Sequence, residues 1–160
     1  MIILIMGVAG AGKTTVGRAL AERLHWRFVD ADDYHSQANV AKMHAGIPLT
    51  DEDRAPWLQS LRGAILAWLK AGENVLLACS ALKASYRDVL VVSPDVKLVY
   101  LQISMELAAE RLAARHGHYM NPHLIRSQFE TLEEPHDAVT IDASQPTESI
   151  VAGIRRAFAI

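Results

Sequence analysis

The sequence predicts an α/β fold, a central parallel sheet of five strands with helices over both faces. Three observations carry that prediction. Short apolar runs at 2–6, 27–30, 74–79, 97–103 and 138–142 alternate with longer segments whose apolar residues recur every three or four positions. A glycine-rich stretch sits between the first run and the first helical segment. The 160 residues contain no repeat and no Pro/Gly/Ser-rich linker, so one domain spanning 1–160 is expected.

The first run, "IILIM", leads into "GVAGAGKT", Gly7 to Thr14, which matches GxxxxGK[ST] and precedes a helix with Val16, Leu20 and Leu24 on one face. Gly7, Gly10 and Gly12 free the backbone for tight conformations that aim N–H groups at phosphate oxygens, and the helix N-terminus adds partial positive charge. Gly7, Val8, Ala9, Gly10, Ala11, Gly12, Lys13, Thr14 and Thr15 are therefore the candidate ATP-binding residues. Lys13 can reach the β- and γ-phosphates, and the Thr14 hydroxyl can ligate Mg2+; Thr15 reads as a helix residue.

The second run opens "FVDADDYH", residues 28–35, which crowds Asp30, Asp32 and Asp33 at a strand end. Such charges raise one another's pKa unless a cation or hydrogen bonds compensate. A solvated turn with capping aspartates is one account of them. The other follows from the third run. Many proteins with this loop carry a magnesium-holding aspartate at the end of a second buried strand, yet "NVLLACSALK" ends its strand in Cys79 and Ser80. The strand ends of a parallel sheet converge on ligands, so Asp30, Asp32 and Asp33 can supply the missing carboxylate, and one acid can act as base on an acceptor hydroxyl.

Further along, Leu58, Leu61, Ile65 and Leu69 form one helical stripe that Gly72 can end, with Trp57 and Trp68 read as core. "RLAARHGHYM" places Arg111 and Arg115 on one helix face before a Gly-containing mobile segment, the arrangement of a lid closing over phosphates. His116 and His118 lack an accompanying cysteine, and no zinc site is expected. Pro146 can open the last helix.

Composition narrows the partners. The formal charge is −2 with Lys and Arg scattered, which argues against nucleic acid. The single cysteine cannot form an intramolecular disulfide, "IILIM" is too short for a signal peptide, and no apolar run approaches the roughly 20 residues that span a bilayer. A soluble, cytoplasmic protein is expected.

"DADDYH", "NVAKMHAGIPLTDEDRAPWL", "CSALKASYRD", "RLAARHGHYM" and "SQFETLEEP", in that order after the phosphate loop, resemble the signatures of the gluconate kinases (gluconokinases). These are small P-loop kinases related to shikimate kinase, and the resemblance runs along nearly the whole chain. Departures are small: Ala9 and Ala11 stand where serine is common, Ala31 and Ser36 replace glycine and proline, and Tyr119 replaces phenylalanine. None removes a charge needed for phosphoryl transfer.

The resemblance implies a three-layer P-loop kinase fold with a mobile lid at about 116–124. It implies transfer of the ATP γ-phosphate to the 6-hydroxyl of D-gluconate, with Mg2+, in a homodimer that meets neither nucleic acid nor membrane. It aligns Asp32 with the carboxylate that meets the acceptor hydroxyl and Asp30 with the one ordering the magnesium shell, leaving Asp33 and His35 for the polyol. "DASQPTES" corresponds to the loop that meets adenine. An acceptor with a carboxylate at its far end needs cations there, and Lys42, Arg54, Lys83 and Arg87 are the candidates, with surface ion pairing as their other use. A shikimate-type or nucleotide-type kinase is the nearest alternative, but the shikimate group's glycine run after the third strand is replaced by "CSALK". A nucleotide-dependent switch is disfavoured because the guanine-reading NKxD pattern is absent.

Overall fold

β1 (Ile2–Met6) lies at the centre of the sheet because all five of its side chains are apolar and both of its faces are covered. Its partners are β3 (Val75–Ala78) on one side and β4 (Val96–Gln102) on the other; β2 (Arg27–Asp30) and β5 (Val139–Asp142) form the edges. The order is β2-β3-β1-β4-β5, with every pairing parallel. The strands agree with the sequence expectation to within one residue at each end. The computed structural model describes residues 1–115 and 122–160. Most of the expected lid, including His116, His118 and Tyr119, lies outside the described residues.

Successive side chains of a strand face opposite ways, so each strand feeds two cores. Ile2, Leu4 and Met6 pack with Trp57, Leu58, Leu61, Ile65 and Trp68 of α3 (Asp51–Lys70) and with Tyr86 and Leu90 of α4 (Ala84–Leu90). Ile3 and Ile5 pack with Val16 and Leu20 of α1 (Lys13–Leu24), Ala108 of α5 (Met105–Ala113), and Ile150, Val151 and Ile154 of α7 (Thr147–Phe158). Burying each large side chain contributes about 1.5–3 kcal/mol, and the result is a helix–sheet–helix sandwich.

The expected stop signals hold. Gly72 adopts φ 69 after α3, where its N–H donates to Leu69 O and the Glu73 N–H to Trp68 O. Pro146 caps the start of α7. At the other end of α3, Thr50 and Asp53 form a reciprocal capping box. Two shorter helices, α2 (Gln37–His44) and α6 (Pro122–Thr131), contribute residues to a cleft at the carboxyl ends of the strands.

The turn after β1 is held tightly against α5. A methyl group on Gly10 would lie 2.7 Å from the Ala108 carbonyl oxygen, and the residue's φ of +85 is one that side chains rarely adopt. Gly10→Ala should therefore cost about 2–4 kcal/mol from left-handed strain and overpacking. Thermal denaturation measures it; an unchanged Tm would mean that the loop leaves α5 at no cost.

Candidate active site

Gly12 caps α1 with a left-handed backbone (φ 93) and offers no side-chain acceptor. The first N–H groups of α1 therefore have neither intrahelical partners nor a capping side chain, which is the geometry of an anion cradle. Lys13 Nζ lies back across the loop and donates to Val8 O at 3.0 Å. Burial lowers the Lys13 pKa, while the Asp32 and Asp30 carboxylates pull it back up and Arg115 lowers it.

The end of β2 brings the aspartates to this loop. Asp30 Oδ1 accepts from the Asp32 N–H at 3.0 Å, capping the 3₁₀ turn Ala31–Tyr34, while Oδ2 lies 3.4 Å from Thr14 Oγ1. The capping account of the cluster thus holds for Asp30, whose second carboxylate oxygen stays beside Thr14. A hydroxyl and a carboxylate oxygen side by side next to a phosphate cradle fit Mg2+, which takes one or two protein oxygens and completes its shell with phosphates and water. No group of three or more His, Cys, Asp or Glu among the described residues forms a closed metal cage.

Asp32 has its carboxyl pKa raised, first by loss of solvent within the cleft and then by Asp30 and Asp33, with Lys13 pulling the other way. This is the compensation problem posed by the sequence, and it persists without a ligand. Cys79, at the usual place of the magnesium acid, is a neutral thiol whose pKa burial pushes up to about 12.

The cleft encloses about 700 Å³. It brings together Lys13, Thr14, Thr15, Asp30, Asp32, His35, Arg54 and Arg115, with Met43, Ile47, Pro48, Leu49 and Trp57 on its wall. His35 stacks on Trp57, centroids 4.2 Å apart and planes 12° apart. Burial and the nearby Arg54 lower its pKa to about 4, so the ring is neutral at pH 7. Asn39 Nδ2 meets His35 Nδ1 at 3.3 Å, which makes Nδ1 the acceptor and leaves the proton on Nε2. Trp57 is both core and wall: its Nε1 donates to Ala31 O at 2.7 Å.

The four candidate carboxylate-binding cations separate. Arg54 lines the cleft, its Nη1 donating to Leu49 O at 2.7 Å and to Tyr86 Oη at 3.3 Å. Lys83 Nζ donates to both Asp51 oxygens at 3.0 Å, and Lys42 Nζ to both Asp53 oxygens at 3.0 and 2.9 Å. Arg87 is buried, its Nη1 spent on Ala81 O and Leu82 O at 2.9 and 3.0 Å. None of these last three lines the cleft, nor does Asp33.

A second hollow of about 510 Å³ runs from Gly12 and Thr15 to Ser144, Gln145, Pro146 and Thr147, with Arg111 and Arg115 beside it. The two expected lid arginines thus sit along a single path from the phosphate loop to "DASQP", the stretch expected to meet adenine. Two cleft-region groups escaped the sequence reading. Tyr86 donates its hydroxyl to Asp51 and accepts from Arg54. Gln128 accepts the Ala9 N–H at 2.7 Å across 119 positions of chain, a separation that carries no periodic signal.

The sequence profile of the AAA domain family matches residues 2–144. A mouse protein named "Probable gluconokinase" is 41% identical, covering 98% of this chain and 97% of its own. The thermoresistant gluconokinase of Escherichia coli K12 is also 41% identical, over 94% of this chain and 89% of its own. The crystal structure of a gluconokinase from Sinorhizobium meliloti 1021 superimposes with a TM-score of 0.86 at 42% identity, covering 97% of this chain and 91% of that one.

Proposed function

Because this chain belongs to the gluconokinase family, a kinase that phosphorylates gluconate with ATP, we propose how its cleft divides that work. ATP lies along the path from "DASQP" to the phosphate loop, adenine at the former and the β- and γ-phosphates over Gly10–Thr14. Thr14 and Asp30 would hold Mg2+, which would supply charge neutralisation at the phosphates. Gluconate fills the remaining cleft, its 6-hydroxyl toward Asp32 and its carboxylate toward Arg54.

Asp32 accepts the proton of the 6-hydroxyl as that oxygen bonds to the γ-phosphorus. The bond from phosphorus to the β–γ bridging oxygen breaks, and its electron pair leaves with ADP. Lys13 and Arg115 face the charge that spreads over the transferring group, with Arg111 further along the nucleotide path. His35, neutral and with its proton on Nε2, serves as donor to a polyol hydroxyl. Lys42, Lys83 and Arg87 act at one remove, Lys83 and Lys42 by neutralising the acids beside Arg54 and Arg87 by fixing the loop after β3. Asp33 contributes through charge on Asp32.

The observation that carries the acceptor assignment is Arg54, a cation on the cleft wall whose aspartate neighbours are already taken by lysines. The same reading takes the protein to be one kinase domain, a cytoplasmic homodimer that acts on small molecules, a part that rests on the resemblance. No helix among the described residues is long and apolar enough to cross a membrane.

ADP release across an acceptor panel tests the reading. Gluconate should stimulate it strongly, whereas glucose, shikimate and AMP should not, because a site built around a cation rejects a ligand that leaves it unpaired. Arg54→Ala should lower kcat/KM for gluconate by about 10- to 100-fold and narrow the gap to glucose. If glucose equals gluconate in the wild-type protein, or shikimate or AMP is the better acceptor, the assignment fails.

A further inference from the structure

The Val8 carbonyl and the Ala9 N–H are the two ends of one peptide group, and the protein grips both. Lys13 Nζ donates to the carbonyl at 3.0 Å, and the N–H donates to Gln128 Oε1 at 2.7 Å. In a trans peptide these ends point in opposite directions, so Lys13 and Gln128 hold the plane from opposite sides. Among the described residues, Ala9 is the one member of the Gly7–Thr14 loop whose N–H takes a side-chain acceptor. The other donors at the start of α1 remain open to a ligand.

Gln128 reaches the loop from a firmly tied segment. Beyond α6, the Glu133 N–H donates to Leu82 O at 2.8 Å and Glu133 Oε1 accepts the Ala84 N–H at 3.0 Å. Glu134 Oε1 accepts from Tyr100 Oη at 3.0 Å. "SQFETLEEP" is therefore a strap joining the ends of β3 and β4 to the phosphate loop.

We propose that Gln128 is a positioning residue for phosphoryl transfer: by fixing the Val8–Ala9 peptide, its amide oxygen keeps the Val8 carbonyl turned to Lys13 and so holds the ammonium over the loop before nucleotide arrives. The Val8 carbonyl also accepts the Ala11 N–H at 3.2 Å, so without Gln128 the peptide keeps that backbone tie but loses its hold on the N–H side, and the anchor of Lys13 loosens. A charge held in place beforehand needs no reorganisation at the moment of transfer, whereas one misplaced by an ångström costs about 10²-fold in rate. The inference rests on the kinase reading above, since it acts through Lys13.

The test compares Gln128→Ala, Gln128→Leu and Gln128→Glu in the full chain. Glutamate retains an oxygen for the Ala9 N–H; alanine and leucine do not. Saturating ATP removes the part of any repulsion from the added charge that acts on nucleotide binding. Alanine and leucine should lose the slow hydrogen exchange of the Ala9 amide and lower kcat by about 10- to 100-fold with Tm nearly unchanged, while glutamate restores the protection and most of the rate. ADP affinity, read by calorimetry without acceptor, should fall in the alanine and leucine variants and recover in the glutamate variant. Wild-type kcat in Gln128→Ala, a loss explained by Tm alone, or a glutamate variant no better than alanine in kcat and Ala9 protection would overturn the inference. Should wild-type protein ignore gluconate, the acceptor reading has failed, and the exchange and ADP measurements still judge Gln128.

Discussion

Lys13→Ala should reduce gluconate-dependent ADP release by about 10³-fold or more while leaving the fold intact, since one preorganised donor at a developing charge is commonly worth about 10²–10³ and Lys13 carries a full charge. The fold should survive because, among the described residues, Lys13 makes a single hydrogen bond, to Val8 O. Its pKa is lowered mainly by burial, so a charge at this position is held against a solvation cost. Removing the side chain should therefore leave Tm unchanged or raised. Rapid-quench measurement of 6-phosphogluconate separates the chemical step from binding. Turnover near the wild-type rate in a folded variant would remove Lys13 from the mechanism.

Asp32→Asn should lower kcat by about 10²–10⁴-fold with a much smaller effect on ATP affinity, the range expected for loss of a positioned base. The sign of the accompanying stability change differs from the usual carboxylate case. Asp32 has its pKa raised in the folded protein, so its ionised form opposes folding above the unfolded value of 3.8. Below 3.8 the variant and the wild type should match. As pH rises through the window between the unfolded and folded values, Asp32→Asn should become the more stable of the two and remain so at neutral pH. A variant that is less active and also less stable at pH 7 would mean that Asp32 serves the fold.

The strands and the phosphate loop were legible because their signals are local: a run of apolar residues between turn formers, and glycines at fixed offsets before Lys13. The aspartate cluster was legible for the same reason, with its neighbours one and three positions away. The cations were not. Lys42, Arg54, Lys83 and Arg87 all have the reach to enter the cleft, and spacing does not rank them. What separates them is competition in space. Asp51 and Asp53, favoured in the first turn of α3 by the helix dipole, capture Lys83 and Lys42 and leave Arg54 to the cleft. Arg87 satisfies two carbonyls of a loop that turns through Ala81 at φ 43, a conformation the sequence does not announce. Gln128 was hidden because its partner is a backbone N–H, which every residue but proline carries.

The central position of β1 has a consequence during synthesis. Its five apolar residues emerge well before the strands that flank it, which begin at Val75 and Val96. A ribosome adding about 5–20 residues per second needs about 5–20 s to make both neighbours. For that interval the nascent chain presents an unpaired, wholly apolar segment whose native strand partners lie later in its own sequence. Slowing elongation between β1 and β4 lengthens the exposure, and a holdase that recognises short extended hydrophobic segments has a natural client here.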